Sequence, residues 1–302
     1  MTAQPLQGVY PILATPYDEA GAIDCETLRR EVEYMIGAGV HGVGIALASE
    51  VPTLSEAERD LALRTVVEQV RGRIRVVMNT SAPGTDLAVL YSKRAENLGA
   101  DALMVLPPPP ATTSADETVA YYGDIAAATT LPIFLQDVPT ASISAGLAVR
   151  IAAAREHEWY MKAETPPTVQ RVAEVVAART GPLSVFGGAG GELFVAELRR
   201  GAVGTMPGSA IPEVFVRVWD LFQAGQEREA TALLTEHAML LKLLAQGMGM
   251  NFYLAKEVLR VRGVFSQTNV RVRRPATAPD LLAVRELHEQ LERLSLAHAV
   301  AM

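Results

Sequence analysis

One lysine stands out among the residues that could do chemistry, because it interrupts an apolar run. Lys162 lies within Trp159–Ala163, whose other residues are aromatic or aliphatic. An ammonium ion is expensive to bury there, and burial favours the neutral amine, which can attack a ketone. Glu164 follows two residues later, so on a continuing strand it faces the same side, about 7 Å along, and could carry protons. The pair predicts either an imine-forming site or a buried ion pair without chemistry, and both interpretations stay open here.

The sequence lacks the residues, or the spacing between them, that other common active sites require. The five histidines are scattered without a zinc-binding pattern, and no Gly-x-Ser-x-Gly motif occurs. Cys25 is the only cysteine, which excludes an intramolecular disulfide and a cysteine-based zinc cage. The run Gly187–Gly191 could form a phosphate-binding nest, but Leu193 breaks the G-x-G-x-x-G pattern. A tight turn that lines a pocket is the favoured interpretation, and no metal or cofactor is predicted.

Short apolar runs alternate with longer stretches of helical period from residue 9 to about residue 225. Capping boxes at Ser55–Glu58 and Ser114–Glu117 mark two of the helix starts, and Pro166 is predicted in the first turn of another helix. The predicted strands are 9–14, 43–47, 74–79, 102–106, 132–136, 160–163, 183–186 and 202–206. Near-continuous apolar strands between helices indicate an α/β protein with a parallel sheet. Eight units in series fit a closed (β/α)₈ TIM barrel better than an open doubly wound sheet, whose glycine fingerprint is missing.

The chain is predicted to form one structural unit, with the barrel in residues 1–225 and a helical extension in residues 226–302 packed on it. The last helix carries an apolar stripe at helical spacing. This stripe consists of Val284, Leu287, Leu291 and Leu294. Packing against the chain's own barrel is the favoured interpretation, and a subunit contact is the alternative.

Composition narrows the class of protein further. Hydrophobic residues make up 49% and charged residues 20%, which is ordinary for a globular protein with a large core. The net charge of −7 argues against a nucleic-acid partner, since the only basic cluster is Arg271–Arg274. No run reaches the ~18 apolar residues of a membrane span, and no secretory signal is evident. We therefore predict a cytoplasmic protein without a nucleic-acid or membrane partner.

In a TIM barrel the active-site groups project from the carboxyl ends of the strands and from the loops that follow. The polar residues near those predicted ends are therefore the candidates for chemistry and binding. They are Thr15, Ser49, Glu50, Asn79, Thr80, Ser81, Gln136, Asp137, Lys162, Glu164, Thr165 and Met206–Ser209.

Several motifs in order along the chain resemble the dihydrodipicolinate synthase / N-acetylneuraminate lyase family of class I aldolases and dehydratases. The matching segments are Pro11–Pro16, Ser49–Arg59, Gln136–Pro139, Tyr160–Thr165, Phe186–Gly191 and Gly201–Met206. The resemblance covers most of the chain. It implies a barrel with added C-terminal helices, a small 2-keto acid substrate and a homo-oligomer, either a tetramer or a dimer. It also implies that Lys162 is the Schiff-base lysine at the end of strand six.

The departures from the family pattern bear on the substrate. Ala46–Glu50 stands where family aldolases carry two hydroxyl residues that help to hold the keto acid's carboxylate, and Ser49 is the only hydroxyl there. Gln136 replaces the usual proton-relay tyrosine; it can orient a group by hydrogen bonding but cannot act as acid or base. The resemblance implies that Lys162, Glu164 and Gln136 are catalytic. The implied substrate-binding residues are Ala48, Ser49, Asn79, Thr165, Gly188 and Met206.

The combination of Gln136 with Lys162 and Glu164 resembles the branch that contains 2-keto-3-deoxy-L-arabonate dehydratase. The leading hypothesis is therefore dehydration of a 2-keto-3-deoxy sugar acid through a Schiff base. A pyruvate-dependent aldolase, including a dihydrodipicolinate synthase-like condensation, is the first alternative. A barrel that has lost its chemistry and only binds a ligand is the second.

Overall fold

A computed structural model describes residues 5–108, 114–179, 181–271 and 279–297 of this chain. Its eight strands lie in one parallel sheet. They are β1 (Gly8–Val9), β2 (Gly42–Ile45), β3 (Arg75–Asn79), β4 (Ala102–Val105), β5 (Ile133–Asp137), β6 (Trp159–Ala163), β7 (Leu183–Gly187) and β8 (Gly204–Thr205). The strand order is β1-β8-β7-β6-β5-β4-β3-β2, so every strand but one neighbours the next in the chain.

Helices follow the strands on the outside and continue beyond β8. Ser55 and Ser114 begin two of these helices in capping boxes, as predicted. The helices of the barrel are α1 (Cys25–Gly37), α2 (Glu56–Val70), α3 (Thr85–Asn97), α4 (Ala115–Ala128), α5 (Ala145–Ala154), α6 (Thr168–Ala178), α7 (Phe194–Leu198) and α8 (Pro212–Gln223). The C-terminal helices are α9 (Glu227–Glu236), α10 (Ala238–Leu244), α11 (Met248–Val261) and α12 (Leu281–Arg293).

The sheet closes into a barrel, which confirms the predicted TIM-barrel fold. Strand β1 pairs with β8, and a bridge between Ile12 and Gly44 joins the remaining edge to β2. The predicted bounds 9–14 and 202–206 were wrong, because each of these strands has only two residues. Pro11 and Pro207 follow them closely and lack the N–H that continues a ladder. Helix α6 also begins later than predicted, since Pro166 and Pro167 both precede its first residue.

Alternation along the strands places one set of side chains inside the barrel. Phe134, Tyr160 and Phe186 are buried there with Val77 and Met206 in one interior cluster. Aromatic contacts join the three rings, with centroids 4.8–5.9 Å apart. Side chains two residues further along a strand point to the same face. The residues that follow this apolar layer toward the carboxyl ends of β3, β5, β6 and β7 are Asn79, Gln136, Lys162 and Gly188.

The C-terminal helices pack on the outside of their own barrel. Leu287 and Leu291 of α12 are fully buried in a cluster with apolar residues of α7–α11, and Leu294 packs against its edge. Val9 of β1 belongs to the same cluster, which ties the extension to the barrel wall. None of the helices in the described part of the chain is both long and apolar enough to cross a membrane.

One buried carboxyl group predicts how stability depends on pH. Glu31 of α1 is fully buried, and its Oε1 accepts a hydrogen bond from the Ala14 N–H at 2.9 Å. Burial raises the pKa of Glu31 to about 8. The folded state therefore binds a proton that the unfolded state releases above its ordinary pKa near 4.5. The wild type should lose stability as pH rises from about 4.5 to about 8.

Glu31→Gln removes this titration and keeps an acceptor for Ala14. Compared with that variant, the wild type should lose several kcal/mol of unfolding free energy between these pH values, since each unit of pKa shift is worth about 1.4 kcal/mol. Urea unfolding of both proteins at a series of pH values between 5 and 8.5 measures the difference. A constant difference across that range would contradict the prediction.

Candidate active site

Lys162 and Glu164 meet where β6 ends. Lys162 is the fourth residue of the strand, and Glu164 comes directly after its last residue. The Lys162 Nζ lies 3.0 Å from Glu164 Oε1, with the two side chains 5% and 17% exposed. The resting protein thus holds the amine and the carboxylate as an ion pair, close enough for direct proton transfer.

Gln136 joins this pair to the neighbouring strands. In the parallel register it lies beside Lys162, and its Nε2 donates to Glu164 Oε2 at 3.2 Å. Its Oε1 accepts a hydrogen bond from Asn79 Nδ2 on β3, also at 3.2 Å. Asn79 Oδ1 in turn accepts from the Ser81 N–H at 3.1 Å. The structure therefore brings four predicted site residues into one chain of hydrogen bonds, from Asn79 through Gln136 and Glu164 to Lys162.

The glycine run after β7 forms the other side of the Glu164 site. It folds as a short 3-10 helix over Ala189–Gly191, and the Ala189 N–H donates to Glu164 Oε1 at 3.3 Å. A Cβ atom built on Gly188 would lie 2.3 Å from Glu164 Cγ. A larger residue at this position would displace the Glu164 side chain, which occupies the space that its Cβ atom would need.

Ser49 and Thr165, two of the predicted substrate-binding residues, direct their hydroxyls into the protein. The Ser49 hydroxyl donates to the Leu13 carbonyl and accepts from the Ala46 N–H. The Thr165 hydroxyl donates to Asp137 Oδ1 at 2.6 Å. Both hydroxyl protons are therefore engaged in holding loops.

The other two predicted substrate-binding residues lie against the interior of the barrel. Met206 is buried in the interior cluster, and its N–H donates to the Gly187 carbonyl at 3.0 Å. Ala48 is half-buried and packs against the same cluster from the loop after β2. Ala48 thus borders the inner layer that carries Lys162.

Asp137 and Arg59 fix the site from behind; Asp137 was one of the polar candidates at the strand ends, and Arg59 was not. Asp137 is fully buried. Besides the Thr165 hydroxyl, it accepts hydrogen bonds from the Ile143 N–H at 2.8 Å and the Ser142 hydroxyl at 3.1 Å. These contacts hold the loops after β5 and β6 together. Arg59 of α2 donates to the Asn79 carbonyl at 2.8 Å. Both residues belong to the motif segments of the sequence, but only the structure shows what they contact.

A second carboxyl group lies behind the glycine run. Glu197 of α7 is buried, accepts a hydrogen bond from the Thr168 hydroxyl at 2.9 Å, and would clash with a Cβ atom on Gly187. Burial raises the pKa of Glu197 to about 7, with a smaller contribution in the same direction from the nearby Glu164. Within the described residues, no group of three or more His, Cys, Asp or Glu side chains could hold a metal ion.

Comparison with known proteins decides the family. The model of the dihydrodipicolinate synthetase family matches residues 5–294. The chain belongs to this family. The family's enzymes are lyases, so the chain is identified as a lyase of the dihydrodipicolinate synthetase family.

Both a dehydratase and a synthase are similar to this chain. It is 30% identical to the L-2-keto-3-deoxyarabonate dehydratase of Azospirillum brasilense over 286 residues, which cover 92% of this chain and 91% of the relative. It is also 30% identical to the 4-hydroxy-tetrahydrodipicolinate synthase of Xanthomonas campestris pv. campestris, over 75% of this chain and 76% of that one. Among solved structures, the dihydrodipicolinate synthase of Rhodopseudomonas palustris superposes with a TM-score of 0.87 at 26% identity, covering 95% of this chain and 97% of that one.

Gly188→Ala tests the packing behind Glu164. The added methyl group should displace the Glu164 side chain from Lys162, and a shift of about 1 Å at a reacting group can cost on the order of 100-fold in rate. We expect kcat/KM to fall at least tenfold while the protein stays folded. Gly146→Ala on α5 is the matched control, because a Cβ atom there meets open space. Equal kcat/KM values for both variants would contradict the prediction.

Proposed function

We propose that this lyase dehydrates a 2-keto-3-deoxy sugar acid through a Schiff base on Lys162. The observation that carries the proposal is the contact between Lys162 Nζ and Glu164 Oε1 at 3.0 Å, inside a barrel that offers Gln136 beside them instead of a tyrosine. The dehydratase from Azospirillum brasilense, similar over 92% of this chain, supports the same assignment.

The first half of the mechanism forms the imine. Glu164 accepts a proton from the Lys162 ammonium, and the neutral amine attacks C2 of the keto acid. The carbinolamine then loses its hydroxyl group as water, for which the protonated Glu164 supplies the proton. This leaves a protonated imine on Lys162 and a carboxylate on Glu164, so the protons balance.

The second half eliminates water from the substrate. The protonated imine withdraws electrons and acidifies the protons on C3, and Glu164 removes one of them. The electron pair forms the C3–C4 double bond as the C4 hydroxyl leaves, and the Glu164 proton goes to that leaving group. Hydrolysis of the imine returns the Lys162 amine and releases the product. Gln136 and Asn79 have no ionisable group, so their part is to keep the Glu164 carboxylate in place.

We propose that Ala48, Gly188 and Met206 border the space for the substrate, while Ser49 and Thr165 hold the loops around it. Ala48 packs against the interior cluster to which Met206 belongs, and Gly188 lies against Glu164. The hydroxyls of Ser49 and Thr165 already donate within the protein. Ser49 and Thr165 would therefore support binding in two ways. They would keep the loops around the substrate in place, and their hydroxyl oxygens would still be able to accept hydrogen bonds.

A pyruvate-dependent aldolase is the alternative, because it uses the same imine but breaks the C3–C4 bond. The products separate the two reactions. Incubation with 2-keto-3-deoxy-pentonates and hexonates, followed by mass and pyruvate analysis, should show loss of water without release of pyruvate. Release of pyruvate with an aldehyde would assign the aldolase, and absence of both products would favour a barrel that only binds its ligand.

We also propose that the protein is a homo-oligomer, either a tetramer or a dimer, on the basis of its family membership. Light scattering in solution measures the oligomeric state directly. The cytoplasmic location inferred from the sequence stays a prediction.

A further inference from the structure

A buried ion pair joins the C-terminal helices to the mouth of the barrel. Lys256 of α11 places its Nζ 2.7 Å from Glu50 Oε1, and the two side chains are 1% and 0% exposed. Burial lowers the pKa of Lys256, and the Glu50 carboxylate opposes that fall. Buried ion pairs contribute little net stability compared with apolar side chains of similar volume. Stability alone is therefore a poor explanation of this pair.

Further contacts from the same C-terminal segment hold both partners. Lys256 Nζ also donates to the Asn269 carbonyl at 2.7 Å, and the Arg271 N–H donates to Glu50 Oε2 at 2.8 Å. Lys256 and Arg271 both lie over the ring of Tyr17, 4.6 and 4.5 Å from its centroid. Residues that follow the eighth strand thus contact the loops after β1 and β2 and hold the two loops side by side.

We define the β2 loop as Ala46–Glu50. The contacts of the Glu50 side chain with Lys256 and Arg271 hold its last residue. Glu50 has a left-handed backbone conformation with φ of 56°, which costs free energy for a residue with a side chain and persists only where the surroundings hold it. The hydroxyl of Thr53 donates to the Glu50 carbonyl at 2.9 Å, and the hydroxyl of Thr15 donates to the Ser49 carbonyl at 2.6 Å. The Glu50 side chain thus holds one end of a loop whose other contacts come from the Thr15 and Ser49 hydroxyls, and Ala48 lies within that loop.

We propose that Lys256 is a positioning residue for the substrate: by binding Glu50 it sets the place of the β2 loop and thereby the affinity for the 2-keto acid. The inference rests on the proposed function, which assigns the substrate to this end of the barrel. This role is separate from imine formation, which the proposed function assigns to Lys162. Loss of the Lys256–Glu50 pair should accordingly weaken binding more than it slows chemistry.

A double variant tests this role by removing both charges of the Lys256–Glu50 pair. Glu50→Gln with Lys256→Met removes both charges at similar volume; because the Asn269 carbonyl also loses its donor, some loss of unfolding free energy is expected, and urea unfolding checks that the variant is folded. KM for the keto acid should rise about tenfold or more, which corresponds to about 1.4 kcal/mol of binding, while kcat changes by less than about threefold. The keto-acid concentration that gives half the maximal rate of borohydride trapping should rise in parallel.

A second ion pair on the same helix provides the matched control. Arg262, at the end of α11, lies 2.6 Å from Glu213 of α8, and its side chain is 7% exposed. Arg262→Met with Glu213→Gln removes a buried cation and its carboxylate, which contact Tyr34 and Ala210. This control should leave KM unchanged. An equal rise of KM in both double variants would mean general loosening and would overturn the role of Lys256.

The remaining outcomes separate this inference from the proposed function. A folded Glu50→Gln/Lys256→Met protein with the KM of the wild type would overturn the inference alone. A wild type that traps no 2-keto acid would overturn the proposed function, and this role with it. If the double variant does not fold, Lys256→Arg keeps the cation but moves its donors and should raise KM more than it lowers kcat; a fall in kcat alone would also overturn the inference.

Discussion

Lys162→Ala should abolish the covalent adduct that borohydride traps between this protein and a 2-keto acid. The variant lacks the amine that forms the imine, while its methyl group fits the apolar strand around it. Removal of a covalent nucleophile from an enzyme that acts through it costs on the order of 10⁴-fold in kcat/KM or more. Intact-protein mass after reduction with pyruvate measures the adduct, and initial rates with the sugar acid measure turnover.

Two other lysines make this experiment decisive. Lys93 of α3 is exposed, and Lys93→Ala should keep both the adduct and the rate. Lys256 is the other lysine with a buried ammonium group beside a carboxylate. If the Lys162→Ala protein still gains an adduct, and peptide mapping places it on Lys256, the assignment of the nucleophile is wrong.

Glu164→Gln should lower kcat by roughly 10²- to 10⁴-fold, which is the usual contribution of a positioned acid–base group. Glutamine fills the same space and its single oxygen can accept from the Ala189 N–H, but its amide nitrogen cannot accept from Gln136 Nε2, and it cannot take the proton from C3. Given enough time, pyruvate should still be trapped on Lys162, since the amine is retained. The expected signature is therefore an enzyme that forms the adduct but hardly eliminates water.

The control for this prediction is another glutamate on the next helix. Glu174 of α6 is exposed, and Glu174→Gln should have the kcat of the wild type. Initial rates at saturating sugar acid and trapping yields at long times are measured for all three proteins. A Glu164→Gln protein with kcat within tenfold of the wild type would assign the proton transfer to another group.

Much of the fold can be predicted from the sequence, because a strand and its helix are local patterns. The residues of the apolar run around Lys162 are close together in the sequence, and so are the residues of the capping box at Ser55. The predicted strand bounds are wrong where the length of a strand depends on pairing with a strand that is distant in the sequence. Strand β1 is short because Pro11 interrupts its pairing with β8, and the register of that pairing cannot be read from the sequence.

The candidate site also contains some contacts that the sequence predicts and others that it does not. Lys162 and Glu164 can be paired from the sequence because they are two residues apart on one strand. The hydrogen bonds from Gln136 to Glu164 and from Asn79 to Gln136 depend on the register of three strands, which the sequence does not specify. The hydroxyl of Ser49 looks available for a substrate in the sequence. Its engagement with the Leu13 carbonyl becomes visible only when the first two loops are placed together.

The Lys256–Glu50 pair also has a consequence for the order in which the protein is made. The two residues are 206 positions apart, so the ribosome completes all eight strands before it adds the lysine. Until then Glu50 is without that ammonium group. If Lys256 has the positioning role proposed above, a nascent barrel that already contains Lys162 and Glu164 would bind a 2-keto acid weakly until the last quarter of the chain has been synthesised and docked.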